Sequence, residues 1–298
     1  MKGESALARS FPGFEERQVP VGEAQYFVSR GGSGQTVLLL HGFPETHACW
    51  HRIAPQLAEA HHVVAPDLRG YGASEAPPGG PQGEGYTKRE MAAELVELMV
   101  GLGHEQFHVV GHDRGARVAY RLALDHPQRV TRVAVLNVVP TIDQFERMGT
   151  GPSLAYWPWF LLSQAAPFPE RLLLAAPDAL LDHVVASWPS DPQAIDSERR
   201  EAYLRALTPS TAAAMCADYR ASFYLDREHE AEDRAESRRI SCPTLVVTGE
   251  DESQLADAAD VWGGWADDLT ATRVPGGHFI PEEAPSELCE ILARFLGG

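Results

Sequence analysis

The run Gly111-His112-Asp113-Arg114-Gly115 sets a carboxylate between two glycines, with the β-rich Phe107 to Val110 before it and a helix-compatible stretch after it. That is the pattern of a sharp strand-to-helix turn that presents a nucleophile. Residue type then selects the chemistry. A serine alkoxide attacks acyl carbon, whereas a carboxylate attacking acyl carbon forms an unstable anhydride. A carboxylate instead displaces a leaving group from tetrahedral carbon and leaves an ester on the protein. Water must then attack that ester, and a histidine takes the proton. An aspartate here therefore points to halide displacement or epoxide opening. The plain alternative is an aspartate that merely caps the helix.

The chain holds 12 histidines, so position must choose among them. His278 lies late in the chain within Pro275-Gly276-Gly277-His278-Phe279-Ile280-Pro281. Nucleophile first and histidine last is the order expected of a base for such a turn. His41-Gly42-Phe43-Pro44 follows the first strong strand pattern. Backbone N–H groups of Phe43 and Arg114 are the expected oxyanion donors for ester hydrolysis. A third group must orient the base. One place for it follows the apolar run ending at Leu136, but Asn137 stands there and is no acid. The other is the loop after Thr244 to Thr248, where Glu250, Asp251 and Glu252 stand in a row. Spacing from Gly249 favours Glu252 over Asp251, against the plainer reading of a solvated acidic loop.

The elements that must position these groups are visible as short apolar runs. Thr36 to Leu40, His62 to Ala65, Phe107 to Val110, the region Val130 to Val139, and Thr244 to Thr248 each run into loop-forming residues. Such runs suit strands buried on both faces. Glu90 to Leu102 and Gly115 to Ala123 read as helices between them. Alternation of this kind predicts an α/β fold with a mostly parallel sheet flanked by helices. From about Pro140 the rhythm breaks into Pro- and Trp-rich helical patterns, including Tyr156-Trp157-Pro158-Trp159, until about Ile240. We therefore expect a core of residues 1–140 and 240–298 with a helical cap inserted at 141–239.

At 298 residues with 44% hydrophobic content, the chain can bury a large core as one domain or a domain with an insertion. Its 42 acidic against 25 basic residues give a formal charge of -17. That balance argues against binding a nucleic-acid backbone. Met1 to Gln18 lacks the apolar run of a signal peptide, and no stretch is apolar enough to span a membrane. The cysteines Cys49, Cys216, Cys242 and Cys289 are scattered without metal-ligand spacing, as expected for free thiols in a reducing cytoplasm.

Taken together, these motifs resemble the haloacetate dehalogenases, the fluoroacetate dehalogenase family of the α/β-hydrolase fold. The resemblance rests on His41-Gly42-Phe43-Pro44-Glu45-Thr46, Asp67-Leu68-Arg69-Gly70-Tyr71-Gly72, Gly111 to Arg117, Asp218-Tyr219-Arg220 and Gly277-His278-Phe279-Ile280-Pro281-Glu282-Glu283. Its most specific piece is the arginine directly after the nucleophile, where related epoxide hydrolases and haloalkane dehalogenases usually carry tryptophan. The resemblance implies that Arg114 and Arg117 hold a substrate carboxylate; their spacing puts them on one helix face, and guanidinium suits a planar carboxylate. It implies that a histidine, a tryptophan and a tyrosine of the cap cradle the leaving halide. Trp159 and Tyr219 match two of these, while Pro158 stands in the histidine's place. Asn137 stands where the family's acid is usual. The resemblance implies no metal or organic cofactor, a small haloacid as the only partner, and a homodimer. The expected activity is hydrolysis of a small 2-haloacid, with chloride or bromide easier to release than fluoride. Epoxide hydrolysis by the same Asp/His chemistry, with Tyr219 or Tyr156 as acid, is the nearest rival, and a non-catalytic ligand-binding fold is the third reading.

Overall fold

The structure is a computed structural model that describes residues 11–148 and 154–297. The expectation of a missing leader over Met1 to Gln18 therefore falls largely outside the described residues. Among the described residues eight strands form one sheet in the order β1-β2-β4-β3-β5-β6-β7-β8. They are β1 (Glu15–Val21), β2 (Ala24–Gly32), β3 (Gln35–Leu40), β4 (His61–Pro66), β5 (Phe107–His112), β6 (Val130–Leu136), β7 (Thr244–Gly249) and β8 (Leu269–Val274). The pairs from β4 through β8 are parallel, while β1 and β2 add an antiparallel edge.

The central strands are those whose sequence is continuously apolar. Val37 to Leu40 of β3 and Val109 and Val110 of β5 are fully buried. Each such side chain contributes about 1.5–3 kcal/mol on leaving water. The antiparallel edge and β8 were not foreseen. In β1 and β8 most residues are exposed or half-buried, so their sequences carry polar residues where an apolar run would have marked them.

The helices are α1 (Ala54–Leu57), α2 (Lys88–Gly101), α3 (Arg114–Asp125), α4 (Thr141–Arg147), α5 (Trp157–Leu162), α6 (Phe168–Ala175), α7 (Pro177–Ser187), α8 (Ser197–Ala206), α9 (Pro209–Ala221), α10 (Arg227–Ala235), α11 (Ala258–Trp262), α12 (Ile280–Glu283) and α13 (Pro285–Leu296). A capping box of Thr87 and Glu90 starts α2, satisfying N–H groups that the first turn cannot pair internally. Helices α4 to α10 all lie between β6 and β7 in sequence.

Buried ion pairs tie these inserted helices to the sheet layer. Lys88 at the start of α2 pairs with Asp218 of α9 and lies 3.6 Å from Asp226. Arg121 of α3 pairs with Asp233 of α10 at 2.5 Å. Tyr120 of α3 donates to Glu230 of α10. Partnered in this way, the buried charges avoid the cost of isolated ions and fix where α9 and α10 sit.

Candidate active site

Asp113 occupies the turn between β5 and α3 with φ 46 and ψ -113, a strained backbone for a residue with a side chain. The flanking glycines are required by space. A Cβ on Gly111 would come 2.4 Å from the Gly115 carbonyl oxygen, and one on Gly115 would come 2.3 Å from the Leu40 carbonyl oxygen. The Asp113 carboxylate does not cap α3. Its Oδ2 instead accepts the Phe43 N–H at 3.0 Å. The helix-capping alternative therefore fails on geometry.

His278 approaches from the loop after β8. Its Nε2 lies 4.0 Å from Asp113 Oδ1. That nitrogen is buried and has no hydrogen-bond partner among the described residues. Burial pulls the His278 pKa down to about 4, with the charge of His112 acting in the same direction. The imidazole is thus neutral near pH 7, as a base must be. Burial would push the Asp113 carboxyl up, but His278, Arg114, His112 and the Phe43 N–H bring it below its ordinary value. The site sets an ionised carboxylate beside a neutral imidazole.

His278 is held by its backbone. His278 N–H donates to the Trp188 carbonyl at 3.1 Å, and the Trp188 ring stands edge-on to the imidazole with centroids 5.1 Å apart. The His278 carbonyl receives Asn137 Nδ2 at 2.6 Å and His112 Nε2 at 2.7 Å. His112 Nδ1 meets Glu45 Oε2 at 2.8 Å. With an oxygen acceptor at each ring nitrogen, His112 is best matched as an imidazolium. Burial opposes that charge, yet the Glu45 carboxylate raises the His112 pKa above its ordinary value. Trp188, Glu45 and His112 are participants that the sequence argument did not assign a role.

The expected orienting acids separate clearly. Asp251 is exposed and its Oδ2 accepts the Ser190 hydroxyl at 2.6 Å. Glu252 is buried, and burial followed by the charge of Glu283 lifts its pKa to about 7. Gln254 donates to the Glu252 carboxylate. Among the described residues no hydrogen bond joins the His278 ring to Glu252, Asp251 or Asn137.

A cavity of about 340 Å³ opens above these groups, and Asp113, His278, Arg117, Glu252, Trp159 and Tyr219 all line it. Pro158 and Tyr156 face it too. Arg117 donates to the Val139 carbonyl at 3.0 Å and to Thr141 Oγ1 at 3.1 Å, and its guanidinium carbon lies 4.6 Å from the Trp159 ring. Arg114 is fully buried and is not part of the cavity wall. Its Nε and Nη2 grip the Asp218 carboxylate at 2.9 and 2.8 Å, and Nη2 also donates to Ser222 at 2.6 Å. Only Nη1 is without a partner among the described residues. The Arg114 guanidinium lies against Tyr219 and Trp159, 4.2 and 4.9 Å from their ring centres. Among the described residues no cluster suited to a metal ion is present, and no helix is long and apolar enough to cross a membrane.

Comparison with known proteins agrees with this architecture. Residues 35–285 match the family model described as the alpha/beta hydrolase fold. The fluoroacetate dehalogenase of a Burkholderia sp. is 40% identical over 290 residues, spanning 96% of this chain and 95% of that protein. The soluble epoxide hydrolase of Corynebacterium sp. (strain C12) is 28% identical, over 89% of this chain and 91% of its own. The crystal structure of ALR0039 from Nostoc sp PCC 7120 superposes with a TM-score of 0.92 at 43% identity, covering 95% of this chain and 98% of that one. A helix-flanked, mostly parallel sheet with an acid at the elbow defines a hydrolase of the α/β-hydrolase fold. Within that fold the chain belongs to the haloacetate dehalogenase family.

Proposed function

We propose that the protein hydrolyses a small 2-haloacid to the 2-hydroxyacid through an ester on Asp113. The observation that carries this reading is the 4.0 Å gap between Asp113 Oδ1 and the Nε2 of a neutral histidine that has no hydrogen-bond partner among the described residues. In the first step Asp113 Oδ1 bonds to C2 of the acid and the carbon–halogen bond breaks, the halide leaving with the electron pair. In the second, water adds to the Asp113 carboxyl carbon while His278 Nε2 takes its proton. The negative oxygen that forms is met by the Phe43 N–H, which already faces Oδ2, and by the Arg114 N–H. Collapse returns the proton to the departing alkoxide. The sum is haloacid plus water giving hydroxyacid, halide and a proton.

The remaining groups divide the recognition. Arg117 on the cavity wall binds the substrate carboxylate, while Arg114 is committed to Asp218 and Ser222 behind that wall. The Trp159 indole N–H and Tyr219 hydroxyl receive the halide. Pro158 contributes no donor, which weighs most against fluoride, the most strongly hydrated halide. Residues 141–239 serve as the cap that closes over the substrate, and Glu252 is the acid that supports the imidazolium. Halide release from chloroacetate, bromoacetate and fluoroacetate tests the reading. Release that disappears in Asp113→Asn supports it, and an undiminished Asp113→Asn rate refutes the covalent route.

One rival has specific support. An epoxide hydrolase is among the relatives, and Tyr219 and Tyr156 line the same cavity, where a phenol would protonate an opening epoxide. The guanidinium of Arg117 on that wall favours the anionic substrate. Diol formation from a styrene oxide, without halide release from any haloacid, would reverse the order of the two readings.

A further inference from the structure

The position after β6, where family resemblance places an acid, is held by Asn137, and the structure assigns that residue a different task. We propose that Asn137 is a positioning residue that fixes the general base through its backbone, so that an aspartate in its place would unseat the base rather than complete it. The proposal rests on the haloacid reading of the same site.

The amide is committed in three directions. Asn137 Nδ2 donates to the Gly277 carbonyl at 2.8 Å and to the His278 carbonyl at 2.6 Å. Its Oδ1 accepts the Gly249 N–H at 2.7 Å. With two carbonyls on one side and an N–H on the other, only one orientation of the amide satisfies all three. The residue is buried, 3% exposed. It thereby links the end of β6, the end of β7 and the loop that carries the base. Its own backbone has φ 56, a conformation that asparagine tolerates better than most residues.

An aspartate has the same shape but no donor. It would set a negative oxygen against two carbonyl oxygens at 2.6 to 2.8 Å, which repel it. The loop would have to move or the acid would have to take up a proton. Since no carboxylate is hydrogen-bonded to the His278 ring among the described residues, the place of Nε2 depends on these backbone contacts: Asn137 and His112 at the carbonyl, Trp188 at the N–H. Loosening them should slow water activation, which needs the base, and spare halide displacement, which does not.

The test compares the parent with Asn137→Asp and Asn137→Gly, the glycine removing the amide while suiting the positive φ. In rapid-quench assays with chloroacetate, both variants are expected to release about one equivalent of chloride at the parent rate. Ester hydrolysis should then be about ten- to a hundredfold slower, with the Asp113 ester visible as added mass on the intact protein. Asn137→Asp should be no better than Asn137→Gly. An aspartate variant as fast as the parent overturns the proposal, and so does equal slowing of both steps without ester accumulation. A measurement without turnover keeps the two claims apart. With 15N-labelled histidine, the His278 ring of Asn137→Asp should shift and titrate at higher pH than in the parent. An unchanged His278 signal overturns the role of Asn137 even if no haloacid is a substrate. A parent that releases no halide, with the shift present, overturns only the haloacid reading.

Discussion

Glu252→Gln should stabilise the protein at alkaline pH while slowing its chemistry. Glu252 is buried, and its carboxyl is raised from 4.5 to about 7, first by burial and then by the charge of Glu283. In the unfolded chain the group ionises at its ordinary value, so the folded state binds the proton more tightly. The sign follows directly: at low pH the group costs nothing, the penalty grows as pH rises above 4.5, and it is complete once pH exceeds about 7. The full penalty corresponds to about 3 kcal/mol, of which about 2.5 kcal/mol appears between pH 5 and pH 8. Glutamine keeps the shape, still accepts from Gln254, and never ionises. Thermal or urea unfolding of both proteins at the two pH values measures the difference. The gap should open in favour of Glu252→Gln at pH 8 by about 5 °C for a protein of this size. Activity should move the other way if, as proposed, the ionised glutamate supports the imidazolium formed during ester hydrolysis. The parent kcat should therefore rise through pH 7, and the variant should lack that rise. Identical pH dependence of stability in the two proteins would refute the buried, proton-binding Glu252.

Three further outcomes follow from the same geometry. His278→Gln should still release about one equivalent of halide and then stall with the ester on Asp113, since displacement needs no base; multiple turnovers at the parent rate would contradict the role of His278. Arg117→Ala should raise KM for a haloacid by about ten- to a hundredfold with a smaller effect on kcat, as expected for loss of a charge-assisted contact to the carboxylate. Glu45→Gln removes the carboxylate that holds the His112 imidazolium. It should reduce both stability and ester hydrolysis, read by unfolding and by single-turnover assays, and a neutral effect on both would show His112 to be uncharged.

The sequence made the centre of the fold legible because burial on both faces forces continuous apolar runs. Leu38 to Leu40, Val109 with Val110, and Leu245 to Val247 all mark strands that pack in the middle of the sheet. The edges stayed hidden for the opposite reason: Leu269 to Val274 forms β8, yet most of its side chains meet water and need not be apolar. The elbow was readable because its glycines answer a local steric demand that any chain making this turn must meet. Partnerships across long sequence separations were not readable. Glu45 and His112 meet across 67 positions, and nothing local to either distinguishes them from ordinary polar residues. Trp188 reaches His278 through both its carbonyl and its ring across 90 positions, and nothing local to it marks that partner. Arg114 was expected at the substrate, but the structure commits most of its fork to Asp218, a partner 104 positions away. Adjacency to the nucleophile could not reveal that.

In the proposed reaction Asp113 forms a covalent ester whose carboxyl carbon, not the substrate carbon, is attacked by water. A single turnover in water enriched in 18O, with enzyme in excess over a haloacid that the protein accepts, tests it most directly. The first product should carry ordinary oxygen at its new hydroxyl, and the Asp113 peptide should gain one heavy oxygen. Label in the product of that first turnover, with Asp113 unlabelled, would mean that water attacks the substrate directly and would rule out the Asp113 ester.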